Sequence, residues 1–337
     1  MQNNQLIESM YASIDLGLQN YIDSAMADSP ASFKEIIRYQ LGWTAEFDQN
    51  ARGKRIRPLL LLLVCHALGG DWQKAIPAAI SVELLHNYTL IHDDIEDRSL
   101  TRRGKECIWV KWGEAQAINA GDALCALACS ACSDLRNEFS DHTALAAMTS
   151  LIQTNFLLTT GQYLDIAFEN AEELKLDDYW KMVRGKTGEL ISLCFELGGM
   201  LAENSTCDLL KIKDLGMKIG LAFQVQDDWL GIWGNQQQIG KSNQSDLRDR
   251  KKTYPVLIAL ELLPDFRNYW IAHKPFDDKD IENLLKMLDP SNVKNLTREK
   301  SDQLYDEVLA DLSELFTNRD ALQPLLETIQ GLLTRSR

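Results

Sequence analysis

With 337 residues, 45% of them hydrophobic and 25% charged, the chain can bury a large core; length alone allows two domains, but a big helical bundle can absorb it. The 35 Lys and Arg against 49 Asp and Glu leave a formal net charge of −14, which argues against a nucleic-acid partner, since phosphate binding needs a surplus of basic residues. Such acidity is compatible with an anionic substrate only where the cations are concentrated locally.

Apolar residues recur at helical spacing almost everywhere and runs with strand alternation are absent, so the fold class is all-α. In chain order the predicted helices are Asn4–Ala25, Ser32–Gln49, Pro58–Leu68, Ala75–Asp97, Gly113–Glu138 and Ala144–Glu169. They continue with Asp177–Ala202, Leu209–Trp233, Thr253–Leu262, Asp280–Leu288, Asn295–Phe316 and Ala321–Leu333. Pro58 suits a first helical turn, where its missing N–H costs little, and Asp177 reads as an N-cap. Breaks fall at Ser29-Pro30, Gly69-Gly70, Arg98–Gly104 and the polar stretch Asn235–Lys252. No Pro/Ser-rich linker or fixed-period repeat divides the chain, so one domain over residues 1–337 is expected.

Met1–Leu16 has no basic start followed by an apolar run, and no secretory signal is expected. The longest apolar stretch, Pro58–Leu68, contains His66 and falls short of the roughly 20 residues that span a bilayer. Seven cysteines without a regular framework fit a reduced cytoplasm. Cys125, Cys129 and Cys132 lie at i, i+4 and i+7 in an Ala-rich helix, where packing is the expected role and a metal or redox site the alternative.

The sharpest feature is Asp93-Asp94-Ile95-Glu96-Asp97, late in an otherwise apolar helix. Asp93 and Asp97 share a face one turn apart, and their repulsion of a few tenths of a kcal/mol calls for compensation. Oxygen-rich acidic clusters suit Mg²⁺, which takes one or two carboxylates plus water and substrate phosphates. The plain alternative is a solvated helix end. A second cluster, Gln224-Val225-Gln226-Asp227-Asp228, interrupts the apolar face of Leu209–Trp233, where buried carboxylates are costly unless a cation or partner offsets them. Two such helices imply a shared cation-rich cavity, with structural salt bridging as the alternative.

The cations are also grouped. Gly53-Lys54-Arg55-Ile56-Arg57-Pro58 opens a helix, whose first turn favours an anion. Arg102-Arg103-Gly104-Lys105 follows the first acidic cluster. Lys186-Thr187 lies between Gly185 and Gly188, each of which costs a helix about 1 kcal/mol relative to Ala, so a kink or close backbone approach is expected. Lys241, Lys251 and Lys252 follow the second cluster. Each group alone reads as solvated surface; together they suit two diphosphates, one held through metal and one directly.

In this order, with His86, Gly121-Asp122-Ala123-Leu124, Gly161-Gln162, Gly240-Lys241 and Lys252-Thr253, the motifs resemble those of the trans-isoprenyl diphosphate synthase (polyprenyl synthetase) family over about residues 50–260. The resemblance implies a large helical bundle of the isoprenoid synthase type with a central apolar cavity. Asp93, Asp94 and Asp97 would bind Mg²⁺ bridging an allylic diphosphate, with Asp227 holding a further ion, three in all. Arg102, Lys186, Lys241 and Lys251 would contact the allylic diphosphate, supported by Gln224 and Thr187. Lys54, Arg57, His86 and Arg103 would bind isopentenyl diphosphate, although His86 also reads as a satisfied core histidine. Asp93, Asp94, Asp97, Lys186 and Asp227 would be the catalytic set, in a cytoplasmic homodimer.

One departure stands out. The family's second motif usually ends in another Asp, here Gly231; similar variants resemble bacterial geranylgeranyl diphosphate synthases, and Asp228 would compensate through water. The tail would grow beside Ala75–Asp97, where Tyr88 lies five residues, about 7.5 Å, before Asp93. The resemblance makes Tyr88 a limit on chain length, while spacing puts Thr89 nearer the centre of the Asp93 face; core packing is the alternative. The expected product is geranylgeranyl diphosphate (C20), then farnesyl diphosphate (C15). Rival readings are a terpene cyclase on the same scaffold, which needs no isopentenyl site, and a non-catalytic partner subunit, which could dispense with the acidic clusters.

Overall fold

A computed structural model describes residues 2–44, 53–169, 171, 173–203, 206–234, 245–273 and 275–333. Its helices are α1 (Gln2–Ala25), α2 (Ala31–Gln40), α3 (Ile56–Ala67), α4 (Ile76–Glu96), α5 (Ile108–Trp112), α6 (Glu114–Ser133) and α7 (Asp141–Glu169). They continue as α8 (Leu176–Val183), α9 (Glu189–Met200), α10 (Leu209–Trp233), α11 (Ser245–Arg248), α12 (Tyr254–Leu262), α13 (Pro264–Ala272), α14 (Asp278–Leu288), α15 (Val293–Leu315) and α16 (Arg319–Leu333). Among the described residues the strands are β1 (Thr101–Arg102) and β2 (Lys105–Glu106), an antiparallel pair with Thr101 opposite Glu106. The all-α expectation holds.

The chain packs as two compact units. The first comprises Met1–Asn155, Leu193–Lys213 and Phe316–Leu325. On α1, Met10, Ile14, Leu18 and Ile22 recur every four residues and are buried, the stripe of a helix with one face to the core. The α3 helix is buried all round: Leu60 through Cys65 are each 0% exposed. Small residues on α6 (Ala117, Ala120, Gly121, Ala128 and Ala131) are also buried, which lets α6 lie close along α4.

The second unit comprises Phe156–Ser192, Asp214–Leu315 and Leu326–Arg337. Its core gathers Ile232, Leu247, Val256, Phe266, Trp270, Ile281, Leu284 and Leu288 from α10 to α14.

Several sequence expectations need correction. The helix read as Ser32–Gln49 stops at Gln40, with Gly42 in the left-handed region at φ 78. Asp177 is not an N-cap: Lys175 holds that place, and Asp178 accepts its backbone N–H. The helix read as Asp177–Ala202 is broken by a π-helical turn over Arg184–Gly188, where the two glycines predicted a kink. α5 and α13 were missed, and α11 falls in a stretch read as irregular. α5 and α11 span only 5 and 4 residues, and α13 starts at Pro264, which reads as a breaker although Pro fits a first turn.

Candidate functional site

In the first unit the acidic cluster ends α4. Asp94 is buried, whereas Asp97 is exposed and its N–H continues the helix to Asp93 O at 2.9 Å. The β1–β2 hairpin folds Arg102 back onto the pair: its Nε donates to Asp94 Oδ1 at 2.7 Å and its Nη2 to Asp93 Oδ2 at 3.0 Å. Burial pushes the Asp94 carboxyl up, against the pull of Arg102. Asp94 is therefore an anchoring carboxylate, Asp93 is half-buried and shares the same guanidinium, and Asp97 is the exposed member.

A separate cation cluster lies at the start of α3. Arg57 Nη1 is 3.1 Å from His86 Nε2. Burial holds the His86 ring well below the usual histidine range, reinforced by Arg57, Arg103 and Arg102, so His86 is neutral and accepts from Arg57. Arg103 is likewise pushed down, by burial and then by Arg55, Arg102 and Arg57, with Glu83 pulling the other way. The fold thus brings Arg57, His86 and Arg103 together, and Lys54 stands exposed beside them in sequence.

Sequence reasoning missed what fixes this cluster. Arg55 is 5% exposed, and its Nη1 meets Glu83 Oε1 at 2.6 Å while its Nη2 donates to Leu41 O at 2.9 Å. Glu83 also accepts from Asn87 Nδ2 at 2.8 Å. Arg55 and Arg103 both take left-handed backbone, φ 45 and 54, a conformation that costs a non-glycine residue roughly 1–2 kcal/mol.

Tyr88 packs edge-on against His92 with ring centroids 4.8 Å apart. Thr89 Oγ1 donates to His86 O of its own helix at 2.8 Å, so its hydroxyl is turned back onto α4.

In the second unit Asp227 is exposed and Asp228 is 3% exposed. Asp228 accepts from Tyr179 Oη at 2.6 Å, Gln224 Nε2 at 2.8 Å and the Tyr254 N–H at 2.9 Å. Burial drives its carboxyl up to about 7 despite these three donors. The expectation that Asp228 compensates for Gly231 through water is therefore corrected: its oxygens are committed inside the unit. Thr187 Oγ1 donates to Gln224 Oε1 at 2.7 Å, which extends the chain of hydrogen bonds to the π-helical turn.

Lys186 leaves that turn and pairs with Asp165 Oδ2 at 2.5 Å. A Cβ added at Gly161 would lie 2.2 Å from Lys186 N, and one at Gly185 would lie 2.7 Å from Gly161 Cα. Only hydrogen at both positions lets the two backbones touch, which is the close approach the glycines predicted. Asp165, one turn after Gly161, could have been found from that spacing. Lys252 Nζ donates to the carbonyls of Phe168 and Ala171, both at 2.5 Å, and so ties off the end of α7. Lys251 is half-buried and its N–H donates to Asp246 O at 2.8 Å. Lys241 lies outside the described residues.

Among the described residues no three His, Cys, Asp or Glu side chains form a metal cage, and none of the helices is long and apolar enough to cross a membrane. Mg²⁺ is commonly held through one or two carboxylates with waters and phosphates completing its shell, and the carboxylates of Asp93, Asp97 and Asp227 suit it chemically.

A model of the polyprenyl synthetase family matches residues 43–288. The chain is 42% identical over 226 residues to a (2E,6E)-farnesyl diphosphate synthase of Mycobacterium bovis, covering 66% of this chain and 62% of that one. It is 33% identical over 291 residues to a geranylgeranyl diphosphate synthase of Mycobacterium tuberculosis, covering 84% and 82%. The fold matches the crystal structure of geranylgeranyl pyrophosphate synthetase from Pyrococcus horikoshii with a TM-score of 0.88, at 27% identity over 100% of this chain and 98% of that one. The aligned region thus spans just under two thirds of the farnesyl diphosphate synthase.

Proposed function

Because the chain belongs to the polyprenyl synthetase family, we propose that it is a Mg²⁺-dependent trans-prenyltransferase that condenses an allylic diphosphate with isopentenyl diphosphate. The observation that carries this reading is a repeated design: two acidic pairs on α4 and α10, each with its second aspartate buried and hydrogen-bonded and its first less buried, Asp93 half-buried and Asp227 exposed. Asp93, Asp97 and Asp227 are the proposed Mg²⁺ ligands, for three ions, with Asp94 anchoring the α4 cluster. Bound Mg²⁺ would neutralise the charge that builds on a departing diphosphate, the dominant electrostatic contribution in such chemistry.

The chain's own residues divide the remaining work. Arg102, Lys186, Lys241 and Lys251 bind the allylic diphosphate, and Thr187 and Gln224 hold the Lys186 turn in place. Lys54, Arg57 and Arg103 bind isopentenyl diphosphate as cations, and His86 aims Arg57. Neutral His86 adds no charge that would oppose an allylic cation. Once the allylic carbon–oxygen bond breaks, the isopentenyl alkene attacks that carbon and a proton leaves to the released diphosphate, so no side chain serves as a nucleophile. The Arg57, His86 and Arg103 cluster has no task in a terpene cyclase, which ionises a single diphosphate.

The whole chain acts as one catalytic domain around an apolar cavity, and the product is geranylgeranyl diphosphate, with farnesyl diphosphate next. A cytoplasmic homodimer is proposed. Leu145, Ile152, Phe156 and Tyr163 lie along one stripe of α7 and are 67%, 54%, 70% and 70% exposed, a row of apolar surface suited to a second copy. Buried thiols at Cys65, Cys107 and Cys132 suit a reducing compartment.

The test is a panel of defined allylic diphosphates with isopentenyl diphosphate and Mg²⁺, read by product chromatography. Condensation that needs both substrates supports the reading; turnover of one allylic diphosphate alone points to a cyclase, and no turnover to a partner subunit. In the same assay Tyr88→Ala lengthens the product if Tyr88 sets chain length.

A further inference from the structure

The two acidic helices differ one turn beyond the first aspartate of each pair. On α4 the residue four after Asp93 is Asp97; on α10 the residue four after Asp227 is Gly231. The space beside Gly231 is filled from elsewhere: a Cβ added there would lie 2.1 Å from Asp246 Oδ2 and 2.9 Å from Asp246 Cγ. No real contact is that short, so a carboxylate on α11 stands where a side chain at position 231 would stand.

Asp246 is held there from both sides. The next residue, Leu247, is 0% exposed and joins Ile232 of α10 in the core of the unit. The Asp246 carbonyl accepts the Lys251 N–H at 2.8 Å. Arg250 donates to Trp270 O at 2.7 Å and His273 O at 2.6 Å, with its guanidinium 4.2 Å from the Phe276 ring centre. The turn that carries Asp246 is thus pinned to the core of the unit through Leu247, Arg250 and the Lys251 N–H without help from a ligand.

We propose that Asp246 supplies, from a neighbouring element, the carboxylate that α10 lacks at position 231, so that Asp227 and Asp246 together form the second oxygen-donor pair for the divalent ions. This rests on the prenyltransferase reading and extends it by one residue. It also accounts for Gly231, because any side chain at that position would expel Asp246.

The test measures Mn²⁺ binding to the full-length protein by calorimetry in the presence of inorganic pyrophosphate, alongside turnover with Mg²⁺. Asp246→Asn, nearly isosteric, should weaken Mn²⁺ binding about tenfold or more and raise the Mg²⁺ concentration for half-maximal turnover by a similar factor, while the helical content by circular dichroism is retained. Asp246→Gly should lose the same affinity, and the exchange variant Gly231→Asp/Asp246→Gly should recover most of it by returning a carboxylate to α10. Wild-type Mn²⁺ affinity in Asp246→Asn would overturn the proposal. So would an exchange variant that binds no better than Asp246→Gly. Asp227→Ala separates this from the underlying reading: if it too binds and turns over as wild type, the prenyltransferase assignment itself falls.

Discussion

The ends of α4 and α10 solve one problem with different chemistry. Each carries adjacent aspartates, about 100° apart on the helix, and in each the second is buried while the first is less so, Asp93 half-buried and Asp227 exposed. Asp94 is anchored by a cation, the Arg102 guanidinium at 2.7 Å. Asp228 is anchored by three neutral donors, from Tyr179, Gln224 and the Tyr254 backbone. A charged partner keeps a carboxylate ionised at the cost of desolvating two ions. Neutral donors avoid the second ion but do not offset burial, which drives the Asp228 carboxyl up to about 7. The first anchor is therefore a matter of charge, and the second of hydrogen-bond geometry.

The largest effect tests what the two ends share. Replacing both Asp93 and Asp227 with Ala should lower turnover by at least about 10³-fold, measured by product formation with helical content checked by circular dichroism; retained turnover would break the parallel. Next, Asp94→Asn should cost about 2–3 kcal/mol in denaturant unfolding, because it takes from Arg102 the buried one of its two carboxylate partners and leaves it paired with Asp93. Asp228→Asn should cost less, about 1–2 kcal/mol, since a neutral amide still accepts some of the same donors; the reverse ranking would refute the contrast.

The pH dependence sharpens it further. Asp228 is raised from 3.8 to about 7 in the folded chain, so between those values the native state binds a proton that the unfolded chain has released. Its contribution to stability is complete below pH 4 and is lost as pH rises through 7. Wild type should therefore lose stability relative to Asp228→Asn over that window and run parallel to it above, as followed by thermal melts. The smallest effect belongs to Tyr179→Phe. It should cost about 1 kcal/mol and move the upper edge of the window upward, because the lost hydroxyl bond favoured the ionised carboxylate.

Much of this was legible beforehand where the signal is local. The periodicity of α4, α6 and α10, the two acidic pairs and the glycines around Lys186 are all spacings within a few residues, and the helix converts such spacing directly into direction. Helix starts set by capping chemistry were less legible, as Lys175 in place of Asp177 shows. The short β1–β2 hairpin that delivers Arg102 gave no alternation long enough to read.

The sequence by itself determined that the chain is helical, that carboxylates and cations come in groups, and which family those groups resemble. Tertiary structure alone decided which aspartate of each pair is an anchor. It did so because burial depends on partners far along the chain: Tyr179 and Tyr254 for Asp228, and a hairpin residue for Asp94. It also decided what fills the space beside Gly231, where a residue 15 positions later supplies an atom that no local spacing announces. Identity and periodicity are written in order along the chain, whereas desolvation and steric exclusion are set only once distant segments meet.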